Sequence, residues 1–237
     1  MKATLIIFMT VIALLGINSL SAETFEREIS LGYNATKGNT ETGALSVRAS
    51  MKRKSDKDEI IFKGDYYVSS SNEKMDAKKW YGSGYYSFNL AKKWYNFYKL
   101  EVDHDRFANI DVRLMPSVGV SYRLIERDDL KFSLELGLGY EYTGFRDNSA
   151  EKDVVLTPRL SFEKKLFGEA IISQSLAVYP KMGDISRYRW RSETSITNPL
   201  SEKLDLKLSL IHDFNSDPSG NAEKGDLRFI SSIVYRF

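Results

Sequence analysis

Two histidines are the residues of this chain best suited to proton transfer, because histidine alone changes charge near neutral pH in an ordinary environment. His104 is followed by Asp105, and His212 is followed by Asp213. Hydrolysis by a serine nucleophile needs a histidine, a serine and a carboxylate within hydrogen-bonding reach of one another. If both histidines lie on strands, each following aspartate points to the opposite face. The same-face positions two residues away hold no serine: they are Val102, Arg106, Leu210 and Phe214. We expect no catalytic residues, although a serine from another strand could complete such a set.

Two strips of like charge could act on ions or polar solutes. The acidic strip consists of Glu101, Asp103 and Asp105. The basic strip consists of Arg187, Arg189 and Arg191. Lining one water-filled interior from opposite walls, they would create a field across it, as charged strips do in selective pores. We predict that these six residues line a pore. The alternative is that they pair with neighbouring charges and fill the interior.

Metal, cofactor and nucleic-acid chemistry find little support. The chain has no cysteine, which excludes disulfides, thiolate metal sites and a lipid anchor on cysteine. Four oxygen-bearing residues of one segment could approach a divalent cation, but their spacing matches no calcium loop: Asn215, Asp217, Glu223 and Asp226. The net charge is only +2, without a basic block, so nucleic acid is not an expected partner. We expect no metal and no cofactor.

The N-terminal segment has the pattern of an export signal. Met1 and Lys2 give a short basic start, residues 3–16 are apolar apart from two threonines, and residues 19–22 supply small side chains. The apolar run is shorter than the roughly 20 residues that a membrane-spanning helix needs. We therefore predict a cleaved signal peptide at residues 1–22 and a mature chain of residues 23–237.

The mature chain alternates apolar and polar residues from end to end, which is the period of a β-strand. The alternating segments are residues 29–35, 45–51, 60–68, 80–90, 98–102, 112–124, 130–142, 154–162, 170–178, 188–196, 204–214 and 227–237. Many approach the roughly 9 to 11 residues of a tilted membrane strand, which disfavours a soluble β-sandwich. Aromatics make up 13% of the chain, yet the mean hydropathy is −0.36, as expected when only alternate residues face lipid. We predict an all-β fold: an antiparallel transmembrane β-barrel of about 12 strands.

Further patterns agree with a barrel. The connections expected to be longest, at residues 69–78, 144–152 and 215–225, fall where the outer loops should be. The last strand carries Tyr235 and ends on Phe237, which we predict to be the signal for the machinery that assembles barrels in the outer membrane. The inward positions carry many charged side chains, so the interior is either wet or crossed by ion pairs. The pattern is compatible with an open lumen and with a closed one.

Three segments carry a family resemblance. They are residues 38–43 (GNTETG), residues 215–218 (NSDP) with 224–226 (KGD), and residues 234–237 (VYRF). With them the chain resembles the YdiY-like family of salt-induced outer-membrane proteins. The resemblance implies the bacterial outer membrane and a role in salt or osmotic stress, and it carries over no catalytic residue. We expect a non-enzymatic barrel, either structural or a narrow passive pore, with outer-membrane lipid and lipopolysaccharide as partners. The alternative is a lipid-modifying hydrolase, and the oligomeric state is left open.

Overall fold

The computed structural model describes residues 25–36, 41–220 and 222–237. The predicted signal peptide, and residues 38–40 of the first hairpin, lie outside these ranges. The strands are β1 (Glu26–Thr36), β2 (Thr42–Lys54), β3 (Asp58–Ser71), β4 (Lys74–Ala91), β5 (Trp94–Asp105), β6 (Ile110–Glu126), β7 (Leu130–Phe145), β8 (Ala150–Leu156), β9 (Arg159–Lys165), β10 (Ile171–Lys181), β11 (Asp184–Pro199), β12 (Leu204–Asn215) and β13 (Gly225–Arg236). A single 3-10 turn, Phe167–Glu169, precedes β10. No helix in the described part of the chain is long and apolar enough to cross a bilayer.

The strands form one closed antiparallel barrel with twelve crossings. β8 and β9 are two halves of one crossing, and both pair with β7 on one side and β10 on the other. Thr157 and Pro158 interrupt this crossing, since proline has no N–H to donate to a ladder. β1 pairs with β13 and closes the ring. Closure gives each strand two neighbours, which a sheet in lipid requires because unpaired backbone groups are costly there. The predicted all-β barrel of about 12 strands is confirmed.

The contact between the first and last strands, which we call the seam, is shorter than the contact between any other two neighbouring crossings of the barrel. β1 pairs with β13 over five residue pairs, from Glu28↔Arg236 to Gly32↔Ser232. The same β1 pairs with β2 over eleven residue pairs, along its whole length. Above the paired part, the side-chain amide of Asn34 donates to the carbonyl oxygen of Phe229 at 3.1 Å. A side chain thus bridges the seam where the backbone ladder has ended.

Alternation places an apolar band on the outside of the barrel. On β7, Leu134, Leu136 and Leu138 are exposed, with Leu136 at 56%, whereas the intervening Gly137 and Gly139 face inward. Aromatic pairs mark the two borders of the band, as expected where a bilayer meets water. We call the end with the chain termini and short turns the periplasmic end, because barrels in the outer membrane have their short turns there. At this end Trp94 packs against Tyr122, with 4.7 Å between ring centroids. At the opposite, outer end the centroids of Tyr188 and Phe214 are 5.8 Å apart.

Two of the three predicted long outer loops are tight turns. β3 runs to Ser71 and β4 starts at Lys74, so the expected loop at 69–78 is wrong. Asn72 and Glu73 have φ angles of 49° and 64°, and two successive residues with positive φ close a two-residue hairpin. The loop expected at 144–152 contracts to residues 146–149. The longest described outer connection lies between β12 and β13, as the sequence predicts.

The backbones of β6 and β7 approach each other closely at one point of the barrel wall. Gly119 and Gly137 are directly opposed across the two strands. A Cβ atom added to Gly119 would lie 2.3 Å from the carbonyl oxygen of Leu136, far inside van der Waals contact. Glycine is required here because the neighbouring backbone occupies the space of a side chain.

Candidate functional site: the charged lumen

The space enclosed by the barrel, the lumen, holds two groups of charged side chains. The first, the balanced cluster, has four carboxylates and four cations on the walls built by β5 to β11: Glu101, Asp103, Glu135 and Glu141 with Lys99, Arg113, Arg159 and Arg189. The second, the positive cluster, lies toward β2, β3 and β11 to β13. Its members are Asp65, Glu193 and Asp213 with Arg48, Lys63, Arg191, Lys207 and Arg228.

Glu101 is the hub of the balanced cluster. Only 6% of the residue is exposed, and its carboxylate accepts the Lys99 ammonium at 2.7 Å. The hydroxyl of Tyr81 on β4 donates to the same carboxylate at 2.7 Å, and that of Tyr179 on β10 does so at 3.3 Å. β4 and β10 are on opposite walls. One carboxylate therefore ties the two walls together, and the lumen is crossed by side chains at this level.

The other members of the balanced cluster are paired within it. Arg189 reaches Glu141 at 2.6 Å, and Arg113 reaches Asp103 at 3.4 Å. An apolar cluster of buried side chains packs beside them, consisting of Met115, Val155, Ala177 and Tyr179. Charge is neutralised and space is filled on this side of the lumen.

The positive cluster is less evenly paired. Arg48 lies 2.8 Å from Glu193 and 3.7 Å from Asp65. Each of these carboxylates serves a second cation at 3.7 Å, Lys207 beside Glu193 and Arg191 beside Asp65. Asp213 is shared by Arg191 and Arg228. Two cations thus already compete for each carboxylate of this cluster.

Lys63 is the additional cation of the positive cluster. It points into the lumen from β3 and is exposed, while the adjacent Phe62 faces outward. Among the described residues, no carboxylate is within 4.0 Å of its ammonium group and no hydrogen bond fixes it; Asp65 and Glu193 act on it only at longer range. Its cross-strand neighbours are two small residues, Ser50 and Ser83. The exposure of Lys63 shows that solvent reaches its side chain.

The six residues predicted to line a pore all have ion-pair partners. On β5, Glu101 pairs with Lys99, Asp103 with Arg113, and Asp105 with Lys79 at 3.2 Å. On β11, Arg187 pairs with Glu151 and Asp217, Arg189 with Glu141, and Arg191 with Asp65 and Asp213. Within the described ranges no ion pair joins one strip to the other. A pore-lining role for the six residues stays a prediction.

Ion pairs also cross both ends of the lumen. At the periplasmic end, Lys54 of β2 reaches Glu126 of β6 at 3.0 Å. Beside it, Arg123 reaches Glu59 at 3.5 Å and borders a polar pocket of about 210 Å³. At the outer end, Lys79 of β4 pairs with Asp226 of β13.

Neither histidine has the surroundings of a catalytic base. His104 contacts the backbone carbonyl of Asp111 at 2.8 Å through Nδ1 and stacks on Trp80. His212 lies edge-on to Trp190, with 4.5 Å between ring centroids. In the part of the chain that the structure describes, neither imidazole is hydrogen-bonded to a serine or a carboxylate. Both rings lie among the outward aromatics of the outer end.

Two of the three carboxylates considered as ligands of a divalent cation have partners within the protein. Asp217 accepts Arg187 at 2.6 Å, and Asp226 accepts Lys79 and Arg228. No group of three or more metal-binding side chains occurs among the described residues. In the β7–β8 turn, hydrogen bonds from the hydroxyl and backbone N–H of Ser149 hold the pKa of Asp147 below its ordinary value.

Comparisons with known proteins agree with this architecture. The chain is 24% identical over 212 residues to "Uncharacterized protein YdiY" of Escherichia coli (strain K12), covering 89% of this chain and 82% of that protein. Its fold is similar to that of an outer membrane channel, COG4313, from Pseudomonas putida F1, with TM-score 0.55 and 10% identity over 92% of this chain and 97% of that one. It is also similar to the KdgM porin, with TM-score 0.50 and 8% identity over 89% and 99%.

The likenesses to the two solved structures are likenesses of fold. Together with the closed sheet and its apolar outer band, they place the protein in the bacterial outer membrane as a β-barrel. Residues 29–237 match a family described as "Protein of unknown function, DUF481", which, with the YdiY relative, confirms the resemblance predicted from the sequence. The chain belongs to this DUF481 family.

Proposed function

We propose that the protein is a narrow passive pore for small ions in the outer membrane. The observation that carries the proposal is Lys63, a charged side chain inside the barrel that is exposed and has no ion-pair partner among the described residues. A barrel filled only for structural reasons would be expected to pair such a group with a carboxylate, because burying an unpaired charge is costly. The likeness in fold to proteins named as a channel and a porin is compatible with this proposal.

The ion pairs across the lumen would keep the passage narrow. Arg48 of β2 and Glu193 of β11 meet at 2.8 Å across the first and last strands. Pairs that contact water are weakened by salt, because the screening length falls to about 3 Å at 1 M. High salt should therefore loosen these pairs and widen the passage. A role in salt or osmotic stress, which the family resemblance implies, fits this behaviour and belongs to the proposal.

Planar-bilayer recording of the purified protein tests the pore directly. We expect discrete current steps from the folded protein and none from the same preparation after heating. Absence of steps above the lipid baseline would leave a structural barrel as the better account. If steps appear, Arg191→Glu should change their charge selectivity, because Arg191 lies in the positive cluster, where it contacts Asp65 and Asp213.

We also propose that the protein is not an enzyme. The support is that, among the described residues, neither imidazole is hydrogen-bonded to a serine hydroxyl or to a carboxylate. Lipid turnover by the folded protein in detergent tests this. Turnover that disappears in either His104→Ala or His212→Ala would instead support the lipid-modifying hydrolase.

A further inference from the structure

We propose that Lys63 forms an anion-binding subsite in the lumen and makes the pore prefer small inorganic anions such as chloride. The inference rests on the proposed pore and names the class of solute that it would favour. Three observations carry it: the charge balance of the positive cluster, the absence of a direct partner for Lys63, and the small side chains beside it.

The charge balance of the positive cluster favours an anion. Three carboxylates serve four paired cations there, and Lys63 is the fifth cation. Arg228 is also shared with Asp226, at 3.5 Å, which leaves the cluster in excess of positive charge by at least one. A low-dielectric wall around such an excess concentrates counter-ions in the enclosed water. The balanced cluster, with four charges of each sign, has no such excess.

The geometry at Lys63 leaves room for the ion. The residues directly opposite on both neighbouring strands are Ser50 and Ser83, whose side chains are among the smallest polar ones. Asp65 points into the lumen two residues along the same strand but is held by Arg48 and Arg191. The Lys63 ammonium is therefore exposed at a place where its nearest carboxylates are already engaged. An ammonium group offers three N–H donors, which suit a compact anion.

Ion selectivity is the first measurement. With a potassium chloride gradient across a planar bilayer, the wild-type protein should show a reversal potential of the sign that chloride preference produces. In Lys63→Gln the ratio of chloride to potassium permeability should fall about sixteenfold, because removing one unit charge about 5 Å from the ion in water disfavours chloride about fourfold and favours potassium about fourfold. Lys164→Gln is the matched control, because Lys164 is exposed on the outward parity of β9 and its loss should leave the ratio unchanged.

Chloride binding without conduction is the second measurement. The chloride NMR linewidth, recorded on the folded protein in detergent, should be broader for the wild type and Lys164→Gln than for Lys63→Gln. Equal linewidths for all three proteins, or an unchanged reversal potential in Lys63→Gln, would overturn the subsite. A protein that broadens the chloride line through Lys63 but passes no current would retain the subsite and refute only the pore.

Discussion

Replacing Glu101 with glutamine removes a charge and little else, because the two side chains have nearly the same shape. Glutamine keeps an oxygen that can accept the hydrogen bond from Tyr81. What it loses is the negative charge beside Lys99. Both side chains of that pair are only 8% exposed, so the ammonium group would be left without its partner and without water.

The expected cost follows from burial. Breaking a buried ion pair by removing one partner costs about 3 to 5 kcal/mol, because an uncompensated charge remains. The pair of Lys131 with Glu163 has the same 2.7 Å separation, but its side chains are 55% and 40% exposed. An exposed pair contributes about 0 to 1 kcal/mol. We therefore expect Glu101→Gln to lower the free energy of unfolding by about 3 kcal/mol and Glu163→Gln to lower it by less than about 1 kcal/mol.

Urea titration of the barrel in phospholipid vesicles would measure both values. Tryptophan fluorescence is a suitable signal, since all three tryptophans face outward: Trp80, Trp94 and Trp190. A double variant, Lys99→Met with Glu101→Gln, should recover most of the loss because no buried charge is left unpaired. If Glu101→Gln and Glu163→Gln are equally stable, the lumen around Glu101 is as wet as the barrel rim, and the closed side described above is wrong.

Two further predictions concern assembly and packing. Phe237→Ala should reduce the amount of folded barrel in the outer membrane, because it removes the ring packed on Tyr235 at 4.8 Å. Folded barrel is measured as the fraction whose gel mobility shifts on heating. Phe229→Ala, also outward on β13, should have a smaller effect. Gly119→Ala should destabilise the barrel by about 1 to 3 kcal/mol, the usual cost of overpacking, because the new methyl group overlaps the adjacent backbone. In the same chemical-unfolding measurement Gly64→Ala should be nearly neutral, since nothing lies within 4 Å of its added Cβ. Equal losses of unfolding free energy in both variants would contradict the close approach of β6 and β7 at Gly119.

Much of the fold could be predicted because a barrel strand encodes its faces locally. On β7, alternation alone assigns Leu134 and Leu136 to lipid and Glu135 to the lumen, and the structure agrees. The turn at Asn72 and Glu73 was harder to anticipate, since only asparagine of the two commonly adopts positive φ. The interruption at Thr157 and Pro158 is likewise hard to predict. It depends on how this crossing pairs with β7 and with β10, which the sequence of one segment does not specify.

The pairing of charges could not be predicted from the same pattern. Alternation shows that Glu101 faces inward, but it does not show that Tyr179, 78 residues later, reaches it across the lumen. Such contacts depend on barrel diameter and stagger, which are properties of all strands together. The exposed state of Lys63 is equally hidden, because it depends on which carboxylates other cations have already engaged.

The seam sets the order in which the barrel can be completed. Every other ladder forms between crossings that follow one another in the chain, whereas β1 and β13 are brought together from opposite ends; the Asn34–Phe229 hydrogen bond joins residues 195 positions apart. Closing so long a loop carries the largest entropic cost and the slowest encounter of any pairing here. Ring closure should accordingly be the last kinetic event of folding, and an intermediate with a complete but still open sheet should precede it. That final event forms only five residue pairs, at the periplasmic end of the barrel. These few pairs fix the closed topology of the chain.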